Sequence, residues 1–253
     1  MLLKIIYNIM KIAICFYGLH PDETWKSSDG NVNVASKIDK CYDYWNKNVL
    51  SLNDCDIFMH SFSNKHEELL KYKPKKHSFE DVSYFDENIV NKEKKEYYTK
   101  KHNNIIQIPV GIYISYGIKK SVELMNEYSN ENNIDYDLIL ISRIDVCWLN
   151  PLNFNELNTD KFYSAVWGYN NYHSKRCNGF LSYWFCSNKK NITEFSKLYD
   201  NIYDYFEDDY SWHVITKKHT NTFINDDSIE YKFNDNDNDN IDMDLQRYLT
   251  HVI

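Results

Sequence analysis

The stretch that most limits what this chain can fold into runs from Tyr136 to Leu152. Asp135 and Asp137 open it, and an unbroken apolar run follows from Leu138 to Ile141. A short run rich in Ile and Leu that opens on acids reads as a strand buried on both faces of a sheet. Charge returns where the run ends, at Arg143 and Asp145, two positions apart. That spacing sends both side chains off one face of an extended segment. Pro151 then stops further pairing. In open α/β sheets, ligands bind outside the carboxyl ends of the central strands, so this acid and this guanidinium are the first candidate site. A carboxylate held there suits a hard cation and a diphosphate that the cation bridges.

The flanking pattern predicts an α/β chain built around that strand. Lys11 to Phe16 is a short apolar strand turning out at Gly18, where the backbone can approach a ligand closely. Ile38, Tyr42, Trp45 and Val49 share one stripe of a helix between Val34 and Leu50. Asp54 to Ser61 reads as a second strand, acidic at its start and ending at His60. Residues 64–104 are charged in both signs and read as a solvated, partly helical insertion. From Pro109 on, Ile114, Ile118, Val122 and Met125 mark a long helix feeding the central strand, which is the grammar of a βαβ unit.

Two further strands are expected over Lys161 to Trp167 and Asn178 to Ser187. The loop between them carries Tyr169, Tyr172, His173, Lys175 and Arg176, and a cation there is placed to meet a leaving diphosphate. A packing helix starts at Asn191 with Phe195, Leu198, Tyr199, Ile202 and Phe206 on its buried side. Asp208 and Asp209 precede a short helix containing Trp212, His213 and Ile215. These acids either favour the helix start or, with His213, serve as a base. Residues 234–240 alternate Asn and Asp and read as a solvated tether before a final amphipathic helix, 241–253. They lack the glycine and terminal glutamate of a calcium loop.

Length and charge narrow the function classes. The 253 residues suit one generous α/β domain. A net charge of −8 argues against a nucleic-acid partner, which needs a basic face. Six cysteines without Cys-x-x-Cys spacing read as thiols of a reducing compartment, hence a cytoplasmic protein. Residues 1–9, apolar but broken by Lys4 and Asn8, form an extension too short to span a membrane. The joint abundance of Asn, Ile, Lys and Tyr fits AT-rich coding sequence such as that of many large DNA viruses.

With these residues in view, Tyr136-Asp137, the apolar run, Arg143-x-Asp145 and Asn150-Pro151-Leu152 resemble the nucleotide-binding strand of GT-A-type glycosyltransferases. Some of their subfamilies replace the usual Asp-x-Asp with Arg-x-Asp. The Asp56-Ile57-Phe58 strand ending at His60 is similar to a second motif of the same family. The resemblance implies a single GT-A-like domain, residues 10–233, with a mostly parallel sheet flanked by helices. It implies a transferase moving a sugar from a UDP- or GDP-linked donor to a glycan or other hydroxyl acceptor. Phe16, Tyr17, Gly18, His60, Arg143 and Arg176 are then the cofactor-binding residues. Asp145 is the ligand of a divalent cation, Mn or Mg, with Arg143 either orienting it or contacting phosphate. The catalytic set is Asp145, Asp209 and His213. The chain departs from the family at His20-Pro21, where relatives carry an arginine, and at Asn178, where many carry an acid. The rival reading is an inactive module that binds a nucleotide sugar or glycan. A methyltransferase is disfavoured because Gly18 stands alone where a Gly-rich loop is needed.

Overall fold

The computed structural model describes residues 10–18, 38–63, 66–105, 107–167, 179–232 and 243–245. At its centre is β1, Ile12–Tyr17, every residue of which is buried. A strand alternates its side chains between two faces, and both faces here are covered. Ala13, Cys15 and Tyr17 enter one core, while Ile12, Ile14 and Phe16 enter the other. β1 leads to α1, Ile38–Trp45, which continues as a π-helical turn over Asn46–Leu50. Then come β2, Cys55–Phe62, α2, His66–Leu69, and β3, Lys76–Glu80. α3, Val82–Asn88, and α4, Lys92–Lys101, lead to the 26-residue α5, Gln107–Asn132.

α5 closes at Asn133, whose left-handed backbone, φ 51°, ends the helix. The chain then enters β4, Leu138–Arg143, which lies parallel to β1 with Ile12 opposite Leu138 and Tyr17 opposite Arg143. Ile144 and Asp145 turn out of β4 into the three-residue β5, Val146–Trp148. β6, Phe162–Trp167, and β7, Gly179–Ser187, follow. α6, Lys189–Ser196, α7, Leu198–Tyr205, α8, Trp212–Thr220, β8, Ile229–Tyr231, and β9, Met243–Leu245, complete the described chain.

The main sheet has seven strands in the order β3-β2-β1-β4-β7-β6-β8. β1 is parallel to β2 and β4, and β2 to β3. β7 runs antiparallel to β4 and β6, and β8 returns parallel to β6. The sheet is mixed but mostly parallel, with helices on both faces, as the sequence pattern predicts. α5 to α8 cover one face, and α1 with its π-turn and β5 cover the other.

Three expectations change. Residues 66–104 are not a solvated insertion. They supply edge strand β3, and Leu69, Tyr72, Phe85, Val90 and Tyr98 are buried in the cores. The lysines that gave this stretch its polar look reach outward, Lys76 to Glu131 at 2.6 Å and Lys95 to Asp86 at 2.8 Å. The single helix expected from Asn191 is two helices, α6 and α7, meeting at Lys197. Asn188 is the N-cap, its side chain accepting from the Asn191 N–H. Met243–Leu245, expected within a terminal helix, is a strand paired antiparallel with β5. The 234–240 tether lies outside the described residues.

Gly179, at the start of β7, packs hard against the backbone of α8. A Cβ there would sit 2.5 Å from the His213 carbonyl oxygen, and backbone cannot move aside as a side-chain tip can. Gly179→Ala should therefore destabilise the protein by about 1–3 kcal/mol through overpacking. A lowered denaturation midpoint with an unchanged m-value would register it.

Candidate functional site at the carboxyl ends of the central strands

The order β3-β2-β1-β4 places a topological switch between β1 and β4. The chain leaves β1 for β2 on one side, and β4 lies on the other. Crevices of this kind take ligands at the carboxyl ends of the strands. Two backbone bonds fix the rim. Ile144 N–H donates to the Tyr17 carbonyl at 3.1 Å, and Phe62 N–H to that of Gly18 at 3.3 Å. Gly18 has φ +120°, a conformation closed to other residues, although the space around its missing Cβ is open. On the helix side, a Cβ at Gly117 of α5 would lie 3.3 Å from Tyr17 Cβ and 3.4 Å from His60 Nδ1. The helix thus sits directly on the ends of β1 and β2.

Arg143 and Asp145 meet at this rim. Arg143 donates from Nε to Asp145 Oδ1 at 2.9 Å and from Nη2 to Oδ2 at 2.7 Å, a two-pronged pair. Their side chains keep 21% and 15% of their exposure, so the pair is sheltered but reachable. The guanidinium carbon lies 5.6 Å from the centre of the Tyr183 ring. Burial works against the guanidinium charge, but Asp145, with Tyr17 and Tyr183, outweighs it, and Arg143 is held above its ordinary value. The sequence spacing implied a shared face of an extended strand. Instead Arg143 ends β4 and Asp145 lies in the turn after it, and the side chains converge across that turn.

Other expected pocket residues are enclosed. Phe16 is fully buried in the core opposite α5, edge-on to Trp45 at 4.6 Å. Tyr17 is fully buried as well. Burial raises its phenol well above the usual range, Arg143 opposes the shift and Asp145 adds to it. His60 presents no surface and neither ring nitrogen makes a hydrogen bond among the described residues. Phe16, Tyr17 and His60 thus support the rim and do not line it. The physical reason is that parallel strands are covered on both faces, which strand-end position alone does not reveal.

His60 belongs to a cluster that sequence reading missed. Its Nε2 lies 3.6 Å from Glu80 at the end of β3, and the Tyr116 hydroxyl lies 3.2 Å from each Glu80 oxygen. Burial depresses the His60 imidazole despite Glu80, so the ring is neutral. Burial pushes Glu80 up, but the neighbouring His60 ring, the Tyr116 hydroxyl bonds and the charge of Lys120 bring it below its ordinary value. A neutral His60 acts on Glu80 as a polar neighbour, not as a cation. Glu80 was hidden because its stretch read as solvated.

The expected acceptor-side residues are differently engaged. Asp209 Oδ1 accepts the Ser211 N–H at 2.7 Å at the start of α8, and Asp208 pairs with Lys218. His213 Nδ1 shares a 2.7 Å bond with the Phe180 carbonyl, and burial lowers the imidazole to about 4. A base that weak is poorly matched to proton abstraction near neutrality. Because β7 is antiparallel to β4, its first residues extend beyond the β4 end, so His213 does lie at the same end of the sheet. Arg176 falls outside the described residues.

Each Asp145 oxygen accepts one bond from Arg143, which leaves one lone pair on each, and among the described residues no three His, Cys, Asp or Glu side chains converge beside it. A cleft on the described surface, lined by Met10, Ile12, Asn53, Asp54 and Phe154, opens at the amino end of β1, the end away from the charged pair. No described helix is long and apolar enough to cross a membrane. No protein-family model matches the chain, and no curated protein matches it.

Three histidines, His60, His213 and His219, are held below the ordinary imidazole value of 6.5, burial being the largest cause in each. The unfolded chain therefore takes up protons that the native state refuses. Their contribution is complete above about pH 6.5 and is lost as pH falls toward the native value, about 4 for His213. Melting temperature should fall across that window, and His213→Gln should flatten the fall if it folds. A Tm independent of pH between those limits would contradict the burial of these rings.

Proposed function

We propose that this chain is a nucleotide-sugar-dependent glycosyltransferase of the GT-A type, with its donor site over the carboxyl ends of β1 and β4. The observation that carries the reading is the Arg143–Asp145 pair, partly exposed at the switch point of the sheet. Arginine has five N–H donors in a planar fork, and two serve Asp145. Among the described residues the other three meet no acceptor, and we assign them to the oxygens of a diphosphate. Asp145 then orients the cation, and Arg143 is the residue that contacts the leaving group. When the sugar–oxygen bond breaks, negative charge builds on the diphosphate, and a donor fork fixed in advance stabilises it without reorganisation.

The acceptor is a glycan or another hydroxyl compound. The described cysteines, Cys15, Cys41, Cys55, Cys147 and Cys186, are thiols and four of them are buried. This supports a reducing, cytoplasmic setting.

A second reading is favoured by one observation. With each oxygen already bonded to Arg143 and no metal-binding group of three acids, histidines or cysteines among the described residues, Asp145 is a weak metal ligand, as suits a module that binds a nucleotide sugar without turning it over. Incubation with UDP-, GDP- and CMP-sugars, with and without Mn²⁺, separates the two. Nucleotide release supports the transferase. A saturable thermal shift without release supports the binder, and neither response to any nucleotide sinks both. At a hundredfold excess over Kd, the right nucleotide should add about 2.7 kcal/mol of stability. Arg143→Ala should abolish that gain, whereas Asp145→Asn should weaken it and also cost about 1.5–3 kcal/mol of stability through the lost charged bonds. Full donor affinity in Arg143→Ala would remove the site assignment.

A further inference from the structure

Beneath the charged pair, on the sheet face away from α5, α1 is locked to β5 in a fixed register. Trp45 Nε1–H donates to the Val146 carbonyl at 2.7 Å, and Asn48 Nδ2 donates to the carbonyls of Trp148 at 2.5 Å and Leu149 at 3.1 Å. Leu152 N–H returns to the Asn48 carbonyl at 2.8 Å. Cys41, one helical turn before Trp45, belongs to the same stripe and meets Cys147, the middle residue of β5. Their sulfurs are 3.9 Å apart, and both residues are fully buried. The two lie 106 positions apart in the chain, so only the tertiary structure brings them together. Tyr72 adjoins the pair. Its hydroxyl is buried with no hydrogen-bond partner among the described residues, and burial, then Cys41 and Cys147, hold its phenol above the ordinary value.

We propose that Cys41 and Cys147 are a modification site, a thiol pair that a hydroperoxide converts reversibly into an intramolecular disulfide. A disulfide needs its sulfurs about 2.05 Å apart, so each sulfur has to move by roughly 1 Å, with the two backbones already held in register. One sulfur, as thiolate, attacks a peroxide oxygen, the O–O bond breaks and a sulfenic acid forms; the departing hydroxide takes up the proton the thiol gave off and leaves as water. The second thiol attacks that sulfur, the S–S bond forms, and the sulfenic oxygen leaves as a second water. Each sulfur loses one electron, and the peroxide takes both. Access comes through local opening. The bonds that lock the helix lie at Trp45 and Asn48, so the first turn of α1, with Asp39 and Lys40 exposed, opens most readily over Cys41, and hydrogen peroxide is small and uncharged. This inference does not depend on the transferase reading.

The test uses the full chain, reduced, desalted and exposed to hydrogen peroxide without denaturant. The intact mass should fall by two hydrogen atoms and recover with dithiothreitol. Titration after unfolding should find two fewer thiols than the six of the sequence. A non-reducing peptide map should join the Cys41 and Cys147 peptides, and the oxidised protein should melt at higher temperature. Cys147→Ser should abolish the cross-link, while Cys55→Ser leaves it intact. If Cys147→Ser fails to fold, the wild-type map alone decides. An unchanged mass, a bridge between any other pair, stable addition of oxygen at either sulfur, or a bridge formed only in denaturant would overturn the proposal.

Discussion

The pairing of β1 with β4 is the constraint on which the remaining structure rests. Six consecutive residue pairs, from Ile12 opposite Leu138 to Tyr17 opposite Arg143, hold two strands that are apolar on both faces. A one-residue slip would send Ala13, Cys15 and Tyr17 into the core now filled by Ile12, Ile14 and Phe16, putting two smaller side chains and a phenol where aliphatic groups and a phenyl ring now pack. The register therefore also decides where β4 stops being apolar. Arg143 emerges at the last pair, level with the end of β1, and Asp145 follows just beyond it.

Charge at that rim is tolerated because Arg143, Asp145 and Glu80 each have a polar partner. The Arg143 guanidinium is matched in plane by Asp145 and faced by the Tyr183 ring. Glu80 is served by Tyr116 and flanked by His60, which burial keeps neutral. Removing one member of such a set leaves the other sheltered and unsatisfied, which costs more than the pair contributes when intact. The described part of the carboxyl end of the sheet is thus polar and partly covered.

Local sequence carried the elements whose pattern is periodic and apolar. β1, β2, β4, the long α5 and the helix at Trp212 were legible because burial on one or both faces imposes a period on the side chains. The split of α6 from α7 at Lys197 was not, since the apolar stripe runs on through the break. Nor was β3, whose Lys76, His77 and Glu80 are the polar residues of an edge strand and carry no core signal. The candidate site divides the same way. Arg143 and Asp145 stood out as the first charges after a buried strand, whereas Glu80 and Tyr116 were invisible beside His60.

What the sequence determined by itself is an α/β chain whose central apolar strand ends in an arginine and an acid, because buried strands and amphipathic helices write their environment into short-range periodicity. What only the tertiary structure decided is which polar groups face one another. It set the two-pronged closure of Arg143 on Asp145, the enclosure of Phe16, Tyr17 and His60, and the approach of Cys41 to Cys147. Those facts depend on contacts between distant segments, and no local pattern encodes the distance between them.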